Sequence, residues 1–198
     1  MTRRTQAERS DATRAALITA ARELFARDGY AGVGTEEIVR AAGVTRGALY
    51  HHFGGKEALL EAVYEQIEVE FLQRIGALVG PQEETDPLGA LAAGAEAFIE
   101  ASRDPEVHRI VLLDAPSVLG WERWREIGQR YAMGMTEAIL GAAVAAGQIP
   151  QQPLRPLAHV LLGALDEAAL YVAGAEDPEA ARTEIAPVVR RLIDGLRG

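Results

Sequence analysis

Residues 35–56, TEEIVRAAGVTRGALYHHFGGK, constrain the local fold more than any other part of the chain. Ile38, Val39 and Ala42 fall on one side of a short helix. Gly43 stands where a helix C-terminus takes a left-handed residue. Beyond that turn, Leu49 and Phe53 are spaced i, i+4 on a second short helix, and Lys56 opens another. The opposite side of the second helix carries Gly47 and His51, with Arg46 and Tyr50 beside them. A guanidinium, a phenol, an imidazole and a bare backbone on one helical face suit base edges and phosphates in a major groove. The pattern predicts a helix-turn-helix followed at once by the start of a longer helix.

The rest of the chain also reads as helix. Leu17, Ile18, Ala21, Leu24 and Phe25 repeat with the period of one amphipathic helix, which DGYAG ends. A long helix is expected from Lys56 through Leu59, Val63, Ile67, Phe71 and Ile75 to about Val79, where GPQEET stops it. Asp-Pro recurs at Asp86–Pro87, Asp104–Pro105 and Asp177–Pro178. Each marks a helix start, because Asp caps and proline's missing N–H falls where no partner exists. Helices follow over 86–102, 104–115 (ended by Pro116) and 178–196. WERWREIGQRYAMGMTEAILGAAVAA is another long helix. GQIPQQPLRP is a connection, and residues 156–174 form a helix apolar nearly all round, which is buried or sits in an interface. No strand pattern is present. The fold class is all-α with about nine helices. A small head, residues 1–55, carries the motif, and a larger helical body spans residues 56–198.

Composition narrows the function. There are no cysteines, which excludes disulfides, zinc fingers, iron–sulfur clusters and thiol catalysis. His51 and His52 are neighbours on a helix and point about 100° apart, so no metal site is expected there. No cofactor is expected. The N-terminus is basic but lacks the apolar core of a secretory signal. Leu157 to Ala175 is interrupted by His159, Asp166 and Glu167, so no membrane span is expected. The expected location is cytoplasmic, with which the lack of cysteine is compatible. The formal net charge is −9, yet it is unevenly spread. Residues 1–56 carry nine Arg or Lys against six Asp or Glu, and residues 57–198 carry eleven against twenty-three. A basic head on an acidic body binds phosphates at one end only.

The stretch from about Thr13 to Leu60 resembles the tetracycline-repressor (TetR) family of bacterial transcription regulators. Three linked patterns carry the resemblance: A-x-x-L-F-x-x-x-G-Y over Ala21 to Tyr30, T-x-x-I-x-x-x-A-G-V over Thr35 to Val44, and G-x-L-Y-x-H-F-x-x-K-E-x-L over Gly47 to Leu59. The chain departs from the family at Gly55, where Ser, Asn or Asp often caps the next helix. Glycine is a weaker cap by only a few tenths of a kcal/mol. The resemblance implies a one-component regulator, expected to be a repressor. It implies a homodimer on double-stranded DNA with a palindromic operator, released by a small-molecule effector.

Residue by residue, the resemblance puts Tyr50, His52, Lys56 and the Thr35 hydroxyl on the sugar–phosphate backbone. It puts Thr45, Arg46, Gly47 and His51 against bases. Arg46 is the candidate for a bidentate guanine contact. Thr35 also reads as the cap of its helix, and Lys56 sits at a helix N-terminus that favours an anion. Leu24, Phe25, Val33, Ile38, Val44, Leu49 and Phe53 form the core of the head.

In the body, Trp121, Trp124 and Tyr131 fall near one stripe, with Met135 a turn beyond. They read either as core or as the aromatic wall of a pocket for an apolar or aromatic effector. Phe71, Phe98, His108 and Leu112 are candidates for the same pocket. His108 serves either as a polar contact or as a satisfied core histidine, and Asp114 reads as a cap or an arginine partner. Leu161, Leu165, Ala168 and Val172, with Val188, Val189, Leu192 and Ile193, read as a dimer seam, against the alternative of packing within one chain. Two other readings stay open. One is a DNA-binding regulator or architectural protein without a ligand. The other is an enzyme with an incidental DNA-like fold.

Overall fold

The computed structural model describes residues 6–83 and 85–197, and of 81–83 the backbone alone. Among the described residues there are nine α-helices, one π-helical segment and no strand. The helices are α1 (Gln6–Gly32), α2 (Thr35–Ala41), α3 (Arg46–Phe53), α4 (Lys56–Glu83), α5 (Pro87–Ala101), α6 (Ala115–Leu119), α7 (Trp121–Ala145), α8 (Leu154–Ala173) and α9 (Pro178–Asp194). The π-helix, Val107–Asp114, runs directly into α6. The basic extreme N-terminus lies outside the described residues.

Local chemistry sets most boundaries as expected. Gly43 has φ 66° and takes the left-handed place after α2; Gly54, not anticipated from the sequence, closes α3 at φ 75°. The Asp86 carboxylate accepts from Gly89 N, and Asp177 accepts from Glu179 N and Ala180 N. Asp104 accepts from Glu106 N. Gly29 breaks the end of α1 with φ 71° and ψ 161°, inside the DGYAG stretch.

Three boundary expectations fail. α4 does not stop at Val79 but continues through Gly80 and Pro81, because Ile75 and Val79 stay buried against α5 and hold the helix down. Pro116 does not end a helix; it sits in the first turn of α6, at the junction where the π-helix passes into it. Thr35 is not the cap of α2. That place belongs to Gly34, in extended conformation and with no side-chain bond.

Two apolar clusters hold the chain together. The first joins Leu17, Leu24, Phe25, Val33, Ile38 and Leu49 of the head to Leu59, Leu60 and Val63 of α4 and to Ile110, Trp124 and Ile127 of the body. Val44 and Phe53 pack against it, half-buried. The second lies among α4, α5, α7, α8 and α9. The start of α4 is thus built into the head's core, while its later turns belong to the body.

Candidate nucleic-acid interface and internal cavity

The candidate recognition surface is presented by α3, anchored through Leu49, which is fully buried. Thr45 caps α3 by accepting from Ala48 N at 3.3 Å. Thr45, Arg46, Gly47, Tyr50 and His51 are all exposed on the outer side, and His52 is half-buried. The Arg46 guanidinium donates to Glu36 at 3.1 Å and lies 5.5 Å from the centre of the Tyr50 ring. Among the described residues a Cβ on Gly47 would meet only the Thr45 hydroxyl, at 3.8 Å, so none of them requires glycine there. Thr35 is half-buried at the start of α2.

Lys56 departs from expectation. Its Nζ donates to the backbone oxygens of Tyr30 and Val33, each at 2.9 Å, and lies 3.9 Å from the centre of the Tyr30 ring. Burial pulls its pKa down, and Asp114 opposes that shift. The ammonium is turned inward as a clamp on the α1–α2 turn, instead of outward towards a phosphate. The Tyr30 and Val33 carbonyls beside the break at Gly29 are part-buried and draw it in, since buried carbonyls need donors.

The same turn is fastened from the body. Asp114, at the end of the π-helix, accepts from Tyr30 N at 2.7 Å and pairs with Arg109 at 3.4 Å. Asp114 is therefore an arginine partner, one of the two roles expected. A Cβ on Gly29 would collide with the Arg109 guanidinium, a second reason for glycine at that position. Arg22 of α1 donates to both oxygens of Glu70 on α4 and to both of Glu106, at 2.7 to 2.9 Å.

Within the body, α4, α5, the π-helix, α7 and α8 enclose a cavity of about 110 Å³. Phe71, Phe98, Leu112, Trp124 and Met135 line it, and the rings of Phe71 and Phe98 meet edge to face at 5.6 Å. Three expected residues do not. Trp121 is 47% exposed and stacks on Trp124 from outside, whereas Trp124 is 3% exposed. Tyr131 is half-buried against the first core cluster. The lining face of α7 is Trp124, Gly128, Gln129, Ala132, Met135, Thr136 and Ile139. At about 100° per residue its centre is turned roughly 90° from the edge that carries Tyr131. His108 also turns away, because π-helical register directs Val107, Val111 and Leu112 to the cavity where an α-helix would align His108 with Leu112.

The cavity's polar groups were not anticipated. Glu68 and Asp166 line it, with Tyr64, Ser102, Gln129 and Thr136. Burial pushes Glu68 up to about 7, with Asp166 adding to the rise. Burial likewise pushes Asp166 up to about 6, opposed by Arg125. The signal was visible for Asp166: a carboxylate in the middle of an apolar helix needs a reason.

The expected seam divides. Ala168, Val172, Val189 and Ile193 are buried inside the protomer and cannot form an outer surface. Val189 and Ile193, one turn apart, face α5 and α8, and Val188 and Leu192 lie about 100° round the same helix. Leu165 lines the cavity and Leu161 is half-buried. Val160 (66% exposed), Tyr171, Val188 and Leu192 form the outer apolar residues of α8 and α9. α8 is long and apolar enough to cross a membrane by length and mean hydropathy alone, at 1.3. Its Ala158, Leu162, Ala168, Ala169 and Val172 are nevertheless buried in the bundle.

Comparison with known proteins agrees with this architecture. The chain is 28% identical over 158 residues to the transposon Tn10 TetC protein of Escherichia coli, covering 80% of this chain and 79% of that one. It is 34% identical to a TetR-family transcriptional regulator of Pectobacterium atrosepticum of known structure, with a TM-score of 0.86 and 98% of each chain covered. RolR, solved in complex with resorcinol, shares the fold at 22% identity and a TM-score of 0.76, over 94% of this chain and 90% of that one. Residues 17–63 match the pattern of bacterial regulatory proteins of the tetR family. Residues 88–196, more than half the chain, match the tetracyclin repressor-like C-terminal domain, and the protein belongs to the TetR family of transcription regulators.

Proposed function

We propose that this regulator acts as a cytoplasmic homodimeric repressor, each α3 reading one half of a palindromic operator, and that a one-ring ligand in the body cavity releases it. The observation that carries the reading is the cavity's position. Its walls include Phe71 on α4, whose first turns are part of the head's core, and Val111 on the π-helix, whose end holds Tyr30. A ligand that displaces either wall moves the base of the recognition helix. At about 110 Å³ the cavity is of the order that admits a benzene-sized molecule. RolR's resorcinol is also a single ring.

The remaining assignments follow from position. Arg46 and His51 read bases, with Gly47 and Thr45 allowing close approach. Tyr50, His52 and Thr35 hold the sugar–phosphate backbone and set register. Residues 1–55 act as the reading head and 56–198 as the effector and dimer body. The dimer contact is the outer face made by Val160, Tyr171, Val188 and Leu192. Selection of tight-binding sites from random DNA tests the reading, combined with sedimentation of the complex. Paired, inverted half-sites bound by two protomers support it. Enrichment of single half-sites, or of no sequence, overturns it.

A further inference from the structure

The polar lining of the cavity is unbalanced in charge. Two carboxylates, Glu68 of α4 and Asp166 of α8, enter walls that are otherwise mostly apolar. One guanidinium, Arg125 of α7, acts on Asp166. Among the described residues Glu68 has no such partner: its neighbours are the Tyr64 hydroxyl and Asp166, which repels it. α5 adds Leu91, Gly94 and Phe98, and the π-helix adds Val111 and Leu112, none of them charged. Glu68 is only 9% exposed, so water does little to solvate it.

A buried carboxylate without a cation is unfavourable, and a ligand that brings the cation removes the cost. Aromatic rings in the walls of the same cavity strengthen the preference, because a ring quadrupole attracts an ammonium. Phe71, Phe98 and Trp124 supply those rings. Gln129 Nε2 and Trp124 Nε1 are buried donors with no acceptor among the described residues, which suits a hydroxyl or ether oxygen elsewhere on the same ligand.

We infer that the cavity takes a small organic monocation, a protonated amine on a single apolar ring, with its ammonium against Glu68 and its ring among Phe71, Phe98 and Trp124. The inference rests on the reading of this cavity as the effector site. Binding of the cation holds Glu68 ionised, so a fraction of a proton leaves the protein near neutral pH. An anion of the same shape is repelled by both carboxylates, and a neutral alcohol gains no charge interaction.

The test uses the full chain without DNA and three probes of one shape: benzylamine, benzyl alcohol and benzoate. Calorimetry in buffers of different ionisation enthalpy gives affinity and proton release together. Benzylamine is expected to bind at least about tenfold tighter than benzyl alcohol, with benzoate weakest. Glu68→Gln should weaken benzylamine by about tenfold or more and leave benzyl alcohol within about twofold. Asp166→Asn serves as a second variant. Should neither fold, the comparison of the three probes on the unaltered protein decides.

Benzyl alcohol or benzoate binding as tightly as benzylamine would overturn the inference. So would no benzylamine binding, or variants that keep the full preference for it. Because no DNA is present, such a failure leaves the operator reading to its own test.

Discussion

The carboxylate of Asp114 accepts the backbone N–H of Tyr30 at 2.7 Å, and the ammonium of Lys56 takes the carbonyl of the same residue at 2.9 Å. Tyr30 is therefore held from both sides. One hold comes from the segment whose Val111 and Leu112 line the cavity, and the other from the first residue of α4. This is one hydrogen-bonded route from cavity to head, beside the direct packing of α4 on the head's core.

Asp114→Ala should uncouple the two ends. Operator DNA and ligand exclude one another by the same factor whichever is titrated, typically about 5–150-fold. In the variant each should still bind alone, while the factor falls towards one. The measurement is ligand affinity with and without saturating operator DNA. An unchanged factor would show that the signal travels along α4 without this bond.

Lys56→Ala separates a clamp from a phosphate contact. Losing a donor to two half-buried carbonyls should cost about 1–3 kcal/mol of stability and lower the melting temperature. DNA affinity should fall for operator and scrambled sequence alike, through a loosened head. The slope of log affinity against log salt should stay as it was, since no phosphate contact is removed. A slope reduced by about one, with normal stability, would return Lys56 to the phosphates.

Much of the head was legible in the sequence because its signals are local. Gly43 acts within one turn, as the Asp-Pro starts do in the body, and the apolar spacing of Leu49 and Phe53 on α3 fixes which face is outward. The cavity was half legible. Phe71, Phe98, Leu112, Trp124 and Met135 were named, but Trp121, Tyr131 and His108 were named with them. A stripe of aromatic residues gives hydrophobicity without phase or depth: Tyr131 misses the lining by phase, whereas Trp121 has the right phase but is the first residue of α7 and stands 47% exposed beyond the cavity. The third arises from the π-helix, whose i→i+5 bonding leaves no mark in the residue pattern. The clamp by Lys56 was hidden because it depends on carbonyls that face inward only after Gly29 has broken α1. The seam failed for a related reason: a stripe on α9 wide enough to include both Val189 and Leu192 covers two faces, and the apolar pattern cannot say which one the protomer uses for itself.

Gly47→Ala isolates the surface from the fold. The added methyl group meets nothing closer than 3.8 Å among the described residues. Alanine in a helix is favoured over glycine by about 1 kcal/mol, so the variant should melt at the same or a higher temperature. If Gly47 is there to let the backbone approach the DNA, operator binding should weaken all the same. Unchanged affinity in the stabilised variant would remove Gly47 from the interface.

Leu192→Glu and Ile193→Glu should behave differently, although they are adjacent. Leu192 is 53% exposed and Ile193 is 3% exposed. A carboxylate at 192 should leave a folded chain that sediments as a monomer and binds operator weakly. At 193 it enters the protomer's core without a partner, and folding itself should suffer. Circular dichroism melts and sedimentation velocity distinguish the two. A folded dimer in the Leu192 variant would place the contact between copies elsewhere.

Glu68 gives a pH signature that needs no ligand. Its pKa rises from 4.5 in the unfolded chain to about 7 in the folded one. The folded state therefore holds the proton more tightly. That advantage is complete below about pH 4.5 and disappears as pH rises through about 7. Glu68→Gln has no proton to lose. Relative to the unaltered protein, the variant should gain stability steadily between about pH 4.5 and 7, by roughly 3 kcal/mol at most, and show no further change above. Asp166, pushed up to about 6, titrates in both proteins and largely cancels in the difference. Denaturant melts at half-unit pH steps would trace the curve. A difference that stays flat across this window would mean that Glu68 is solvated or already paired, and the charge imbalance of the cavity would go with it.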